Sequence, residues 1–391
     1  TFAPPPLQRL LGFGVDVVLH SASKFLSGHS DVLAGALVVP DKATKGALLR
    51  QRAVLGSVPG SLETWLLLRS LRTLSLRVER QSTSAAAVAK WLTTAEGVVK
   101  VLHPSLACHE SHEVATRQMP GGFGAVMSVE VATREIAEAL PSRLLLFTGA
   151  TSLGGVESLV EWRHKYDSAV PPTQLRVSVG LEDPDDLIND WRNALQAAIA
   201  PQPSLDKQPL DGNLRFATLA VHGDDKVAED TRGCGEVAPY ISMTTTFLTG
   251  AHDTFNYSRN ATPTRSRAEI VLGMLEGGHA VLYASGLAAT SAVFTHFHPK
   301  RVAIDGGYHG THQALELAVS SGCVREVVPL GLDQVYGEGD LLFLETPKNP
   351  TCEVVDVAAY VKLAHAAGAV VVADATFAPP PLQRLLGFGV D

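Results

Sequence analysis

A lysine and an aspartate with unusual neighbours could carry chemistry in this chain. Lys24 follows two hydroxyl residues in the run HSASKFLSGHSD (20–31), and Asp374 ends the apolar run AVVVAD (369–374). A lysine amine can form a Schiff base with an aldehyde, and a buried carboxylate can keep a pyridine nitrogen protonated, so that the ring stores electrons. Together these residue types indicate an enzyme that uses pyridoxal 5'-phosphate (PLP).

The two residues lie at opposite ends of the chain, but the chain repeats itself. Thr1–Asp16 and Thr376–Asp391 are identical (TFAPPPLQRLLGFGVD). Joining the ends at this shared segment places Asp374 25 residues before Lys24. The sequence is therefore interpreted as circularly permuted, a change that proteins tolerate when their termini lie close together on the surface. An engineered permutant, a natural tandem arrangement and an artefact of how the chain was written all agree with the repeat.

Composition limits the class of protein. With 391 residues and 46% hydrophobic residues, the chain should bury more than one core, so at least two subdomains are expected. The net charge of −8 argues against nucleic acid as a partner, and no apolar run is long enough to cross a bilayer. The first residues show no secretory signal, so we predict a cytoplasmic protein. Four widely spaced cysteines fit a reduced protein, and no metal site is predicted.

Alternating apolar runs and amphipathic stretches predict an α/β fold. Continuous Val, Leu and Ile runs separated by helical patterns are typical of parallel strands that are covered on both faces. The predicted strands of this doubly wound domain are AVLYA (280–284), RVAID (301–305), LLFLET (341–346), AVVVAD (369–374), VDVVLH (15–20) and LAGALVV (33–39). We predict a PLP-binding large domain over 1–66 and 262–391, a small α+β domain over 67–200, and a linker with an N-terminal-type arm over 201–261.

Further residues could complete a cofactor site. The turn YASGLAATSA (283–292) offers helix N-terminal N–H groups to a phosphate, although it also fits an ordinary turn. Tyr308 follows a predicted strand and could stack on a pyridine ring, and Asn349 could reach the phenolic oxygen of the cofactor. Arg176 lies in an apolar strand, where a substrate α-carboxylate would be a suitable bidentate partner.

Taken together, these segments resemble the Cys/Met-metabolism family of PLP enzymes. This trans-sulfuration group includes cystathionine γ-synthase, the cystathionine γ- and β-lyases and methionine γ-lyase. The resemblance covers nearly the whole chain when it is read from 213 through 391 and on from 17 to 200. The segments SLGGVESLVEWR (152–163) and DATFAPPPLQ (374–383) are most similar to fungal members. The resemblance implies an aspartate aminotransferase-like, fold type I architecture with PLP as cofactor.

The resemblance also implies a role for each candidate residue. Lys24 would be the Schiff-base lysine and proton shuttle, Asp374 the pyridinium partner and Tyr308 the stacking ring. Phosphate would be bound by Ser21, Ser23, Gly286 and Leu287, with Tyr257 and Arg259 reaching in from a neighbouring subunit. The amino-acid substrate would be oriented by Ser152, Arg176 and Asn349. A site shared between subunits implies a homotetramer built from catalytic dimers.

Two departures from the family pattern bear on the reaction. Thr151 stands where γ-synthases and γ-lyases often carry Glu, and Gly310 stands where methionine γ-lyases place a reactive Cys. We therefore predict β/γ elimination or γ replacement on sulfur-containing or O-acylated amino acids, with cystathionine γ-synthase or a cystathionine lyase favoured. The alternatives are another fold type I PLP enzyme, such as an aminotransferase or desulfurase, and a catalytically silent permuted scaffold.

Overall fold

The computed structural model describes residues 2–199, 214–225, 237–248, 255 and 257–391. The chain forms two compact units. Unit 1 comprises Thr1–His222 and Arg232–Tyr240, and unit 2 comprises Gly223–Thr231 and Ile241–Asp391. Much of the predicted linker, 201–261, lies outside the described residues. The predicted division, which groups 1–66 with 262–391, stays a prediction.

Unit 1 contains an antiparallel hairpin, a five-stranded sheet and several helices. Its strands are β1 (Val18–Ser21), β2 (Gly35–Val38), β3 (Val98–Leu102), β4 (Val126–Val131), β5 (Phe147–Gly149), β6 (Ser158–Trp162) and β7 (Gln174–Ser178). Its helices are α1 (Lys42–Leu55), α2 (Ser61–Leu71), α3 (Leu74–Leu92), α4 (His112–Gln118), α5 (Arg134–Arg143), α6 (Pro184–Ile199) and α7 (Phe216–His222), with 3-10 turns at Leu10–Phe13 and Arg163–Lys165. The sheet order is β3-β4-β7-β6-β5, and only the β5–β6 pair is parallel.

The core of unit 1 follows from period-two patterning of its strands. In β4 every second side chain is buried, because successive residues of a strand point to opposite faces. Met127 and Val129 therefore join the same cluster as Leu187 and Trp191 of α6, which are fully buried. This packing fixes β7, the neighbour of β4, and hence the position of Arg176 within it.

Unit 2 contains a parallel sheet with helices on both faces. Its strands are β8 (Arg301–Ile304), β9 (Glu326–Pro329), β10 (Asp340–Glu345) and β11 (Val370–Asp374), in the order β11-β10-β8-β9. Its helices are α8 (Pro263–Glu276), α9 (Gly286–Phe297), α10 (His309–Ser320) and α11 (Val357–Ala366), and a 3-10 turn covers Leu385–Phe388. All three strand pairs are parallel.

Strand β10 shows why the predicted pattern is continuous rather than alternating. Leu342 and Leu344 lie in one core cluster with α11, whereas Leu341 and Phe343 lie in a second cluster with Phe294 of α9. A strand buried on both faces needs apolar residues at successive positions. The prediction of an α/β fold with a mostly parallel sheet is confirmed for this unit.

Two details of the predicted sheet differ from the structure. The run AVLYA (280–284) forms no strand, and Val281 and Tyr283 are 68% and 49% exposed, so apolar composition alone misled the prediction. The runs near 15–20 and 33–39 do form β1 and β2, but these strands pair with each other in antiparallel register instead of extending the parallel sheet. Among the described residues no helix is long and apolar enough to span a membrane.

The buried residue His103 should make the stability of unit 1 depend on pH. Its ring is fully buried after β3, within hydrogen-bond distance of Ser105 Oγ (2.7 Å) and the Gly124 carbonyl (3.3 Å). Burial lowers the pKa of His103 from 6.5 to about 4. Between these values the unfolded chain binds the proton and the folded chain does not, so the stabilisation is complete above pH 6.5 and is lost as the pH falls towards 4.

We expect His103 to contribute a loss of about 3 kcal/mol in the free energy of unfolding across this range. In His103→Gln, urea unfolding from pH 7 to pH 4 should therefore show a shallower dependence on pH than in the wild type. His296→Gln, which changes an exposed histidine of α9, is the control and should keep the wild-type slope. An unchanged slope in the first variant would contradict the assignment.

Candidate functional site

The turn that carries Lys24 is held rigidly from both sides. The Lys24 N–H donates to the Ser21 carbonyl (3.3 Å), and the Gly28 N–H donates to the Lys24 carbonyl (2.8 Å). Phe25 is buried in the unit 1 core, and its carbonyl accepts from Arg77 Nη1 (3.0 Å). Gly28 has φ 68°, and a Cβ there would lie 1.9 Å from Arg77 Nη1, so this position requires glycine. The turn therefore presents the Lys24 side chain in a fixed direction.

The amine of Lys24 contacts a second residue of the predicted site. Lys24 Nζ donates to Ser152 Oγ (2.5 Å), although the two residues are 128 positions apart in sequence. Ser152 has φ 89°, a left-handed conformation that costs a non-glycine residue on the order of 1–3 kcal/mol and that clusters at functional sites. Its carbonyl accepts from Arg176 Nη2 (2.8 Å). The structure thus brings Lys24, Ser152 and Arg176 together in unit 1.

Arg176 has a protein partner that the sequence did not reveal. Its guanidinium forms an ion pair with Glu161 of the adjacent strand β6, at the paired register position. Glu161 is 4% exposed and also accepts from Arg163 Nη1 (3.1 Å). Glu161 therefore already pairs with the Arg176 charge, and a substrate carboxylate is not needed to explain an arginine in this apolar strand. The signal was present in the sequence as a glutamate in the apolar run of β6, SLVEW.

A cavity of about 410 Å³ lies beside Arg176 in unit 1. Two guanidinium groups, Arg163 and Arg176, reach it, and Ser128 and Gln174 add further polar groups. The rest of the lining is mostly apolar and includes Met127 and Phe123. A cavity with two cations and an apolar wall suits an amino acid that has a carboxylate at one end and an aliphatic side chain.

The environment of Lys24 favours the neutral amine. Burial lowers the pKa of the Lys24 amine, and the neighbouring Arg176 cation lowers it further, while Glu161 acts in the opposite direction. A lysine that removes a proton must be unprotonated when it acts, so the direction of this shift suits a general base.

Removing the Arg176 charge should make Lys24 more basic. In Arg176→Met the cation that lowers the Lys24 pKa is lost, while the opposing effect of Glu161 remains, so the Lys24 pKa should rise. In PLP-free protein we expect trinitrobenzenesulfonate labelling of Lys24, followed by peptide mass spectrometry, to have its midpoint at a higher pH than in the wild type. Arg163→Met, which leaves the Arg176–Glu161 ion pair in place, should shift the midpoint less. A midpoint that moves to lower pH would contradict this reading.

The two predicted phosphate-binding serines occupy different positions. Ser21 ends β1, and its carbonyl supports the lysine turn. The Ser23 hydroxyl accepts from the Ala34 N–H (2.9 Å) and donates to the Ala34 carbonyl (3.3 Å). Ser23 therefore joins the lysine turn to the residue before β2. Phosphate binding by either serine stays a prediction.

Unit 2 holds several of the other predicted cofactor residues around one cavity of about 400 Å³. Several of its walls are contributed by segments that follow the carboxyl ends of β8, β10 and β11, the edge at which parallel α/β sheets bind ligands. The lining residues are Ser285, Gly286, Leu287, Thr290, Tyr308, Thr311, Glu345, Pro347, Asn349, Asp374, Thr376 and Phe377. Tyr308, Asn349 and Asp374, predicted from separate motifs, are thus brought together.

Glu345 is a site residue that the sequence analysis missed. It ends β10 opposite Asp374 in the parallel register. One carboxylate oxygen accepts from the Tyr308 N–H (2.8 Å) and the other from the Asn349 N–H (2.7 Å). Glu345 therefore fixes the two loops that carry the predicted ring-stacking and oxygen-binding residues. The sequence signal was an acidic residue that ends an apolar strand, as Asp374 does.

The first turn of α9 opens onto the same cavity. Ser285 caps the helix by accepting from the Ala288 N–H (3.1 Å). The first N–H groups of a helix have no partner within it, and the helix dipole places partial positive charge there. Gly286 and Leu287 line the cavity at this position and could bind a phosphate.

Tyr257 and Arg259 lie apart from the cavity-lining residues of unit 2. Tyr257 forms an isolated bridge with Thr246, and the Arg259 guanidinium lies over its ring at 5.1 Å from the centroid. Both side chains are exposed. Their predicted role in the site of a neighbouring subunit stays a prediction.

The donor set of unit 2 fits PLP. The cavity combines a helix N-terminus for a phosphate, the Tyr308 ring for an aromatic face and the Asp374 carboxylate for a pyridinium nitrogen. Asp374 is held by the Thr376 N–H, which donates to Oδ1 (2.8 Å). In unit 1 the Lys24 amine has the lowered pKa that reaction with an aldehyde requires.

A parallel sheet with this cavity, and a half-buried lysine with a lowered pKa on a glycine-dependent turn, fit the class of PLP-dependent α/β enzymes. A family model described as "Cys/Met metabolism PLP-dependent enzyme" matches residues 1–196 and 217–391. The chain belongs to this family, whose cofactor is PLP and whose fold is type I.

Curated relatives carry names from the same area of metabolism. The chain is 44% identical over 204 residues to the cystathionine gamma-synthase of Mycobacterium tuberculosis, covering 50% of this chain and 52% of that protein. It is 40% identical over 210 residues to the Escherichia coli cystathionine gamma-synthase (51% and 54%) and 39% identical over 207 residues to a Lactococcus lactis cystathionine beta-lyase (50% and 54%). The chain spans about half the length of these relatives.

One similar solved structure is an apo methionine gamma lyase from Micromonospora echinospora. It is 42% identical, with a TM-score of 0.48, and the match covers 50% of this chain and 53% of that chain.

Proposed function

We propose that this protein is a PLP-dependent trans-sulfuration enzyme that acts on sulfur-containing or O-acylated amino acids. The reaction is β/γ elimination or γ replacement, and cystathionine γ-synthase or a cystathionine lyase is the favoured activity. The proposal rests on the Lys24 amine, which donates a hydrogen bond to Ser152 Oγ and has its pKa lowered by burial and by Arg176. The names of the similar proteins, which include both gamma-synthases and a beta-lyase, support the substrate class.

Bound PLP supplies an electron sink for the α-carbon of an amino acid. The chain's own residues supply proton transfer and orientation. Lys24 Nζ, once neutral, takes the α-proton and returns a proton to the product. Ser152 Oγ, 2.5 Å from Nζ, fixes the direction of the amine. The Asp374 carboxylate would hold the proton of the pyridinium nitrogen of PLP.

Arg176 orients the substrate by its charge. Its Nη2 is anchored by the Ser152 carbonyl and by Glu161, and the guanidinium faces the unit 1 cavity together with Arg163. The α-carboxylate of an amino acid would bind there. The predicted contact of Asn349 with the substrate stays a prediction. Glu161 neutralises part of the local charge, and a guanidinium can bind a carboxylate through two hydrogen bonds.

The finer proposals concern the arrangement of the chain. The identity of Thr1–Asp16 with Thr376–Asp391 supports a circularly permuted order. We also propose a homotetramer of catalytic dimers with Tyr257 and Arg259 contributed across the dimer, a cytoplasmic location, and greatest similarity to fungal members. Domain boundaries at 1–66 with 262–391, 67–200 and 201–261 complete the proposal.

Parallel product analysis tests the reaction. Purified protein with added PLP is given cystathionine, O-acetylhomoserine with cysteine, and methionine in separate assays. Pyruvate or 2-oxobutyrate with ammonia, or newly formed cystathionine, is the expected result. Amino transfer to a 2-oxo acid would instead identify an aminotransferase. Protein that stays colourless with PLP, and has no borohydride-fixed PLP on Lys24, would identify a silent scaffold.

A further inference from the structure

The two copies of the repeated segment bury different leucines. Leu7 of the first copy is 1% exposed, whereas its counterpart Leu382 in the second copy is 75% exposed. Pro4 is buried and its counterpart Pro379 is exposed. At the start of the 3-10 turn the second copy is the more buried one: Leu385 is 5% exposed, whereas its counterpart Leu10 in the first copy is half-buried. The same sequence therefore buries one set of apolar side chains in the first copy and a different set in the second copy.

The local conformation of the copies is nonetheless similar. Both form a 3-10 turn, at Leu10–Phe13 and at Leu385–Phe388, and both end in a left-handed glycine. In both, the N–H of the leucine after the three prolines donates to the first proline carbonyl, at 2.9 Å for Leu7 and 3.0 Å for Leu382. The copies differ in the proline run, where the Pro380–Pro381 peptide bond is cis and that of Pro5–Pro6 is not. The Leu382 face of the second copy is exposed.

Unit 1 holds the first copy in a groove lined by glycines. A Cβ on Gly121 would lie 2.2 Å from the Pro6 carbonyl oxygen, and a Cβ on Gly124 would lie 2.9 Å from the Phe2 carbonyl oxygen. Leu7 enters the main apolar cluster of unit 1, and a Cβ on Gly122 would lie 3.3 Å from its side chain. This glycine groove, defined by Gly121, Gly122 and Gly124, accepts the backbone closely and one leucine deeply.

We propose that the glycine groove is a binding site for the second copy of the segment, Thr376–Asp391, supplied by another molecule of the same chain. Both copies have the same residues, so Leu382 and Pro381 carry the side chains that Leu7 and Pro6 place in the groove, and the second copy would bind where the first copy is displaced. The second copy is anchored in unit 2 through Leu385 and through Gln383, whose Nε2 donates to the Thr346 carbonyl (2.7 Å), while its Leu382 face needs a cover. Exchange of an identical segment between protomers is a known route to association. This inference does not depend on the proposed enzymatic activity.

Peptide binding tests whether the groove accepts a segment from outside. The probe is a fluorescein-labelled synthetic peptide TFAPPPLQRLLGFGVD, and the protein is the full chain with Leu7→Asp and Leu382→Asp, which removes both resident leucines. We expect saturable binding by anisotropy, at least tenfold tighter than for a peptide with Asp in place of its first leucine. Adding Gly121→Ala, whose methyl group would meet the Pro6 carbonyl, should abolish binding.

Sedimentation velocity tests whether a second chain supplies the segment. Leu7→Asp alone should populate heavier species than the wild type as protein concentration rises, and the added Leu382→Asp should reverse this. Leu10→Asp is the matched control in the same segment and should leave the distribution unchanged. Leu7→Ala should act in the same direction as Leu7→Asp, and it keeps the test valid if the aspartate variant misfolds. Equal mass distributions with and without Leu382→Asp in folded protein, or absence of peptide binding, would overturn the proposal.

Discussion

Lys24→Ala should reduce turnover by about 10³-fold or more while leaving the protein folded. The substitution removes the amine that contacts Ser152 Oγ and that we assign to proton transfer. The side chain is half-buried with a pKa lowered by burial, so its loss removes a partly desolvated charge and should cost little stability. The measurements are steady-state rates with cystathionine, and urea unfolding of the same preparation.

Lys45→Ala is the control for Lys24, because Lys45 is an exposed lysine on α1 of the same unit. It should retain wild-type turnover. Ser152→Ala should have an intermediate effect, since it leaves the amine in place and removes only its orienting hydroxyl. Turnover in Lys24→Ala within tenfold of the wild type would reject the catalytic assignment.

Asp374→Asn should reduce turnover by about 10²- to 10³-fold, the range typical for loss of one preorganised electrostatic group. The amide keeps the shape of the side chain and can still accept from the Thr376 N–H, but it carries no negative charge to hold a pyridinium proton. We expect PLP to bind more weakly than in the wild type. Titration of PLP-free protein with PLP, followed by absorbance, measures this loss independently of turnover.

Glu345→Gln provides the matched comparison for Asp374→Asn. Both residues end neighbouring strands and line the same cavity, but Glu345 is engaged by the N–H groups of Tyr308 and Asn349. Its amide would replace one accepting oxygen with a donor, so we expect a lower melting temperature with a smaller effect on turnover. Equal losses of turnover in the two variants would show that the carboxylates share the role assigned to Asp374.

The regular part of the fold could be predicted from the sequence because burial on both faces leaves a continuous pattern. The strands β8, β10 and β11 and the helices between them match the apolar runs and helical periods of residues 301–374. Asp374, Tyr308 and Asn349 were found for the same reason, since Asp374 ends such a strand and the other two follow one. Turn chemistry and apolar periodicity are local, so they can be read without knowledge of the tertiary structure.

Pairing between distant residues could not be predicted in the same way. The contact of Lys24 with Ser152 joins positions that are 128 residues apart, and the partner of Arg176 lies on a neighbouring strand. The run 280–284 has strand-like composition but forms no strand, so tertiary context overrode its propensity. The repeated segment shows the limit most clearly, since identical residues bury Leu7 and expose Leu382.

In unit 2 the residues buried inside the parallel sheet differ from the residues that line the cavity. The interior of β10 is buried in two apolar clusters, whereas the segments that follow β8 and β10 are held by Glu345, which accepts from the Tyr308 and Asn349 N–H groups. Substitutions in these loops could therefore change the reaction preference of related proteins and leave the buried clusters unchanged. A mutant library confined to 306–312 and 347–353 would be a suitable starting point for selecting variants that act on other amino acids.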